Sequence, residues 1–168
     1  ARFTVNKQGE IRFGLGGIKG FGDNIVRAIL AEREENGLFE DIYDFVERMS
    51  GVVNRKAFEA LLFSGAFDSF GICRKQFTLP GKSGDTFIDT LLRYGDLYRK
   101  DSMESAVSLF GEVEELKPER PEIPPMTGEE DILEKLQMEK ELVGMYLSSH
   151  PLDQYTFELE NFTTCQVG

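Results

Sequence analysis

A short glycine-containing turn near the N-terminus has residue types that can bind phosphate. Residues 18–22 read Ile-Lys-Gly-Phe-Gly and lead into a predicted amphipathic helix that begins at Asp23. Glycines let a backbone approach a phosphate closely, and the first amides of a helix are unpaired donors at its positive end. Ile18 and Phe21 are expected to face inward and make the turn rigid. The predicted phosphate-binding residues are Lys19, Gly20, Phe21, Gly22 and Arg27.

A second turn of similar build lies between two further predicted helices. Residues 63–67 read Phe-Ser-Gly-Ala-Phe, and Arg74 and Lys75 follow in the next helical segment. Gly65, Arg74 and Lys75 are therefore predicted to add a second phosphate contact. Two such units in tandem favour a pair of helix-hairpin-helix motifs. Two simpler interpretations stay open: the first turn can merely join a strand to a helix, and Gly65 can merely cap a helix.

Catalytic and metal-binding patterns are absent from the sequence. The chain has one histidine, His150, and two cysteines, Cys73 and Cys165, which do not have metal-ligand spacing. The carboxylates at 112–141 contain no Asp-x-Asp pair on a predicted strand, so they are interpreted as solvated helix and linker residues. No cofactor and no nucleophilic chemistry are predicted for this chain.

The net charge of −11 is unevenly distributed along the 168 residues. Residues 1–33 and 51–100 each carry a net charge of +3, whereas residues 34–50 carry −5 and residues 101–168 carry −12. An acidic protein repels a polyanion as a whole, but the two basic stretches can still face phosphate. Segregated charge is also typical of ordinary solvated helix faces.

The elements that position these turns are mainly helical. Two short strands at 3–5 and 11–13 predict a β-hairpin, and periodic apolar residues predict helices from Asp23, Asp41, Asn54, Cys73 and Asp85. A capping-box pattern at Thr127 and Glu130 predicts a long helix that ends at 148–151. The predicted fold class is mainly α, with an N-terminal β-hairpin, tandem helix-hairpin-helix units, an extended linker and a long C-terminal helix.

Three regions are predicted. Residues 1–100 form the helix-hairpin-helix domain, residues 101–126 form an acidic, proline-containing linker, and residues 127–168 form the last helix and the segment after it. Because the sequence starts at Ala1 rather than Met, we expect a segment of a longer chain. No apolar stretch approaches the roughly 20 residues that cross a bilayer, so we expect a cytoplasmic protein that binds no membrane.

Five segments, in this order, resemble the alpha subunit of bacterial DNA polymerase III. They are IRFGLGGIKG at 11–20, VNRK at 53–56, GAFD at 65–68, SLFG at 108–111 and GMYLSSHPL at 144–152. The resemblance implies the region after the catalytic palm: the end of the fingers, the tandem helix-hairpin-helix domain that contacts duplex DNA, and the approach to the OB-fold. The stretch 78–100 is longer than the family pattern implies, which indicates an insertion.

The resemblance also implies the setting of the chain. The parent is a DNA-directed DNA polymerase of chromosome replication that needs Mg²⁺ and works with other replicase subunits, but the motifs for its metal-binding carboxylates are not in this sequence. Leu109 and Phe110 match the apolar anchor of the family's sliding-clamp-binding peptide, whereas Ala106 stands where a Gln is expected.

Two other classes of function stay open at this level. Tandem helix-hairpin-helix units also occur in accessory modules of DNA-repair nucleases, and the net charge suits a protein-interaction scaffold that never touches DNA. The segment at 144–152 favours the polymerase.

Overall fold

The computed structural model describes residues 3–5, 7–9, 11–81, 84–107, 118–126, 128, 130–157 and 161. Within these residues the chain forms a two-stranded antiparallel sheet and six α-helices, which confirms the predicted mainly α class. The strands are β1 (Thr4–Val5) and β2 (Ile11–Arg12). The helices are α1 (Asp23–Asn36), α2 (Ile42–Met49), α3 (Arg55–Phe63), α4 (Arg74–Thr78), α5 (Phe87–Val107) and α6 (Ile132–Val143). No helix of the described part is long and apolar enough to cross a membrane.

Polar side chains cap the starts of several helices. Asp41 accepts a hydrogen bond from the Asp44 amide at the start of α2, and Asn54 accepts one from the Ala57 amide at the start of α3. Both capping residues satisfy amides that have no partner inside the helix, as their sequence positions predict. The sequence therefore located these two helix starts correctly.

Three predicted helix boundaries were wrong. The Asp89 amide donates to the hydroxyl of Thr86 rather than to Asp85 at the start of α5. At α6 the cap is Asp131, which accepts from the amides of Leu133 and Glu134, so the predicted box from Thr127 to Glu130 does not start that helix. The end of α6 also comes earlier than residues 148–151, because Gly144 turns the chain in the left-handed conformation at φ 86°.

The core is built around a chain of phenylalanine rings. Ring centroids lie 4.9 Å apart between Phe45 and Phe67, 5.0 Å between Phe67 and Phe58, and 5.6 Å between Phe77 and Phe87. These separations are typical of favourable edge and offset ring contacts. The rings join α2, α3, α4 and α5 into one apolar cluster, which holds the turns between those helices in place.

The C-terminal part of the predicted linker packs on the helices. Helix α5 continues to Val107, past residue 100, where the sequence indicated that the linker begins. Further along, the Tyr43 hydroxyl donates to the carbonyl of Pro121 at 2.6 Å, and the Gln76 side-chain amide donates to that of Pro124 at 2.7 Å. These two bonds fasten residues 118–126 to the helical core.

Candidate nucleic-acid interface

The first turn is rigid because its apolar residues are buried. Ile18 and Phe21 are 5% and 6% exposed, and both face the core as the sequence predicts. Between them Gly20 has φ +77°, a left-handed conformation that side-chain-bearing residues rarely adopt. The turn therefore needs glycine at this position for a conformational reason, whatever it binds.

The first turn leads into a helix end without a side-chain cap. Gly22 is the cap residue of α1 and has no side chain to accept a hydrogen bond. The first-turn amides of Asp23 and Asn24 are therefore available to an acceptor from outside the chain, at the positive end of the helix dipole. A Cβ added at Gly22 would meet nothing within 4 Å, so the space beside the cap residue is open.

Three cations surround this helix end. Lys19 and Arg27 are exposed, and Arg27 donates to the side-chain oxygen of Asn24 at 2.9 Å, a neutral partner. Lys56 lies beside the turn, with its Cε 3.9 Å from the position that a Cβ would take on Gly20. None of the three forms an ion pair with a carboxylate of the described residues. Their charges are therefore free to meet an external anion.

Sequence reasoning did not assign Lys56 to this site. The residue is exposed in the first turn of α3, and Asn54, which caps that helix, fixes its direction. The signal was present in the VNRK segment, where a cap residue is followed two positions later by a lysine. What the sequence could not show is that α3 brings this lysine back beside Gly20.

The second turn has a different construction. Gly65 has φ +85°, its amide donates to Leu62 O, and the Ala66 amide donates to Leu61 O. This pair of bonds is the Schellman arrangement that ends a helix. Gly65 is thus the left-handed glycine directly after Ser64, the C-cap of α3, and it ends the helix, which is the simpler of the two interpretations of its sequence.

Arg74, predicted to contact phosphate, lies in the interior instead. The residue is 5% exposed, and its guanidinium donates to Asp68 at 2.6 and 2.8 Å, to Glu139 at 2.7 Å and to the carbonyl of Phe63 at 3.0 Å. Burial opposes the charged form, but the hydrogen bonds to Asp68 and Glu139 outweigh it and raise the pKa of Arg74. The prediction for Arg74 was wrong, because its donors are used inside the protein.

Lys75 is exposed, but charges of both signs surround it. It lines a small pocket with two other cations, Arg74 and Lys135, and with three carboxylates, Glu130, Asp131 and Glu134. Lys135 pairs with Glu130 at 3.6 Å, so an approaching phosphate would meet mixed rather than positive charge here. The two predicted turns therefore differ: the first is an uncapped helix start beside cations without ion pairs among the described residues, and the second is the C-terminal end of a helix beside a buried arginine.

Two further predictions concern catalysis and the clamp. Among the residues that the structure describes, no group of three or more His, Cys, Asp and Glu side chains is placed to hold a metal ion. Leu109 and Phe110, the predicted clamp anchors, lie outside the described residues.

Comparisons with known proteins show which proteins the chain is similar to. Residues 1–77 match a family described as "Helix-hairpin-helix motif". The chain is 36% identical over 170 residues to the DNA polymerase III subunit alpha of Haemophilus influenzae, a match that covers 98% of this chain and 14% of that protein. The same subunit is 40% identical over 160 residues in Deinococcus radiodurans, covering 95% of this chain and 11% of the relative. In Escherichia coli it is 34% identical over 164 residues, covering 95% and 13%.

These matches run along nearly the whole chain, and the chain spans only 11–14% of the length of these relatives. The predicted resemblance is confirmed: over nearly its whole length the chain is similar to one region of bacterial DNA polymerase III alpha subunits, and residues 1–77 match the helix-hairpin-helix motif.

Proposed function

We propose that this chain is a non-catalytic, DNA-binding region of a replicative DNA polymerase and that its first turn binds the backbone of duplex DNA. The observation that carries the proposal is the uncapped start of α1 beside three cations that form no ion pair with the described residues: Lys19, Arg27 and Lys56. An anion at this position gains open amide donors, the helix dipole and unpaired positive charge together.

Binding through this site is expected to be independent of sequence. Amides and lysines at a phosphate fix the position of the protein on the duplex but read no base edge. Three phosphate contacts predict a slope of about −3 when the logarithm of the binding constant is plotted against that of the salt concentration. A steep, sequence-independent salt dependence is therefore the first test.

Substitutions at the turn test the site itself. Lys19→Glu inverts a charge at the turn and should weaken binding to duplex DNA, whereas Lys100→Glu, an equal inversion at an exposed site on α5, should change it much less. Gly20→Val should also weaken binding, but the positive φ of Gly20 means that this variant can lose stability as well.

Gly22→Val separates the two effects. Gly22 has φ −73° and ψ 139°, which valine adopts without strain, and the space around its Cβ is empty. The variant should fold normally and bind DNA more weakly, because its side chain stands in front of the open amides. If folded Lys19→Glu and Gly22→Val both bind duplex DNA like the unchanged chain, the assignment of the site is wrong.

The polymerising activity is assigned to the longer parent. This chain alone should incorporate no nucleotide on a primed template with Mg²⁺, because it holds no recognised catalytic carboxylate motif. Template-dependent extension by the pure chain would contradict this. The relatives named above favour the polymerase over a repair-nuclease module.

The proposal also includes a contact between this chain and the sliding clamp. Leu109 and Phe110 provide adjacent apolar anchors of the kind that can supply most of the energy of a peptide interaction. Because Ala106 replaces the expected Gln, we expect a dissociation constant in the micromolar range or weaker, about −8 kcal/mol at best. Ala106→Gln should tighten binding to the clamp, and Leu109→Ala with Phe110→Ala should abolish it. A double variant that still binds the clamp would exclude this peptide.

A further inference from the structure

Helix α6 contacts both glycine turns with its C-terminal half. The carbonyl of Leu142 accepts a hydrogen bond from the Lys19 amide at 2.8 Å, directly before Gly20. Three residues earlier, Glu139 accepts from Arg74, the residue that packs against Gly65. Leu142 contributes one of the carbonyls that have no partner inside the helix, and Glu139 contributes its side chain, so the C-terminal half of α6 joins the two turns.

Glu139 is the centre of this contact. It is 1% exposed, and its carboxylate accepts from the guanidinium of Arg74 at 2.7 Å and from the hydroxyl of Ser148. The same carboxylate accepts from the backbone amides of Leu147 and Ser148 at 2.9 and 3.0 Å. Burial opposes its ionisation, but these bonds more than compensate and lower the pKa of Glu139. One buried anion thus joins α6, the second turn and the chain that follows α6.

This contact explains why several residues of the segment at 144–152 stand where they do. Gly144 reverses the chain in the left-handed conformation, and the reversal brings the amides of Leu147 and Ser148 back to Glu139. The serine hydroxyl completes the set of donors. The segment is therefore part of the same packed unit as the turns, although the match to the helix-hairpin-helix family ends at residue 77.

We propose that α6 is a brace for the DNA-binding turn and that Glu139 is its positioning residue, which holds the two turns and the chain after α6 in one fixed arrangement. The brace keeps the Lys19 backbone, and with it the open start of α1, in a single position before DNA arrives. A site that is ordered in advance loses less conformational entropy on binding. The DNA part of this inference rests on the proposed function, whereas the coupling through α6 does not.

Glu139→Gln in the full chain tests the brace with little change in shape. A carboxylate can accept bonds at both oxygens, whereas an amide has one oxygen and one donor group. In either orientation, the amide places its N–H₂ group against donors: Arg74 on one side, or the amides of Leu147 and Ser148 on the other. Glu141→Gln is the matched control, because it makes the same change at an exposed position of the same helix.

Hydrogen exchange of single amides measures the coupling without DNA. Glu139→Gln should lower the protection of the Leu147 and Ser148 amides and also that of the Lys19 amide. Each protection factor should fall about tenfold or more, which is the size expected when one charged hydrogen bond is lost. The Phe58 amide, bonded to Asn54 O in α3, reports global unfolding, so its change measures the overall loss of stability. The three amides named above should lose more protection than the Phe58 amide does. Glu141→Gln should leave all four amides unchanged.

The duplex-DNA titration gives the second measurement. Glu139→Gln should weaken binding several-fold with an unchanged salt slope, because every cation of the site is still present. If Glu139→Gln is too unstable to study, Ser148→Ala removes only the hydroxyl and should show the same exchange pattern with a smaller effect.

The outcomes separate the two proposals. A Lys19 amide that keeps full protection while those of Leu147 and Ser148 lose theirs would overturn the brace and leave only a local contact. Coupled exchange in a chain that does not bind DNA at all would support the brace and refute the proposed function. Coupled exchange with unchanged DNA affinity would overturn the positioning role of Glu139 in binding.

Discussion

Replacing Gly65 with alanine should destabilise the chain more than the same replacement at Gly71. Both residues have positive φ, +85° and +71°, so an alanine is strained at either position by about 1 kcal/mol. The loss of freedom in the unfolded chain is also the same in both variants. Gly71 has open space around its Cβ position, whereas a Cβ at Gly65 would lie 2.5 Å from Nη2 of Arg74.

The difference between the two variants comes from the buried ion pair. A flexible side chain could yield at little cost, but Nη2 of Arg74 is bonded to both Asp68 and Glu139. Losing one charged hydrogen bond costs about 1.5–3 kcal/mol, and breaking a buried ion pair costs about 3–5 kcal/mol. We therefore expect Gly65→Ala to cost about 2–4 kcal/mol more than Gly71→Ala.

Urea unfolding of the unchanged chain, Gly65→Ala and Gly71→Ala measures this difference in free energy of unfolding. For a chain of this size, 2–4 kcal/mol corresponds to a fall in melting temperature of roughly 4–16 °C. Duplex-DNA binding by the folded Gly65→Ala variant should weaken no more than that of Glu139→Gln, because the substitution reaches the first turn only through the contact of Arg74 with Glu139. Equal stabilities for the two alanine variants would refute the role given to Gly65, and a loss of DNA binding larger than that of Glu139→Gln would restore its predicted phosphate contact.

Three further substitutions test the packing. Gly95→Ala should destabilise the chain by about 1–3 kcal/mol in chemical unfolding, because a Cβ there would lie 2.7 Å from Val46 O. Alanine favours helices, so a stabilised variant would contradict the close approach of α2 and α5. Burial and the hydrogen bond to Glu47 raise the pKa of Tyr94 from 10.0 to about 12. The stability that neutral Tyr94 contributes is therefore complete below pH 10 and is lost as the pH rises towards 12. Urea unfolding at successive pH values should show a smaller alkaline loss of stability in Tyr94→Phe. An unchanged loss would refute the role of Tyr94. Arg48→Lys should lower the free energy of unfolding by about 1–2 kcal/mol in thermal unfolding, because lysine cannot reproduce the several hydrogen bonds of the guanidinium to carboxylates and carbonyls. A loss below about 0.5 kcal/mol would show that these bonds are dispensable.

Local signals in the sequence were enough to place many of the elements. Asp41 and Asn54 are capping residues followed by apolar residues at helical spacing, and the structure starts α2 and α3 directly after them. Ile18 and Phe21 were correctly expected to face inward, since a turn between a strand and a helix must bury its apolar residues somewhere. In each case the information lies within a few residues of the element.

Contacts between distant residues were not predictable in the same way. Arg74 looked like a surface cation beside a glycine, and only its contact with Glu139, 65 residues further along, shows why an arginine stands there. Glu139 in turn was one acidic residue among many in 112–141, and nothing in its neighbours separates a buried acceptor from a solvated one. Lys56 was missed for the same reason, because its place beside Gly20 depends on how α3 packs.

The same long-range pairing reconciles a net charge of −11 with binding of a polyanion. Much of the negative charge of the described residues faces internal cations: Glu32 and Asp44 pair with Arg48, and Asp41 and Glu47 pair with Arg120. Each group sets two carboxylates against one arginine, so about half of its negative charge is neutralised within a few ångströms, and salt screens the remainder over about 8–10 Å. Lys19 and Lys56 have no such carboxylate among the described residues. An approaching phosphate therefore meets the local balance of charge at the start of α1, and that balance depends on which cations the fold leaves unpaired.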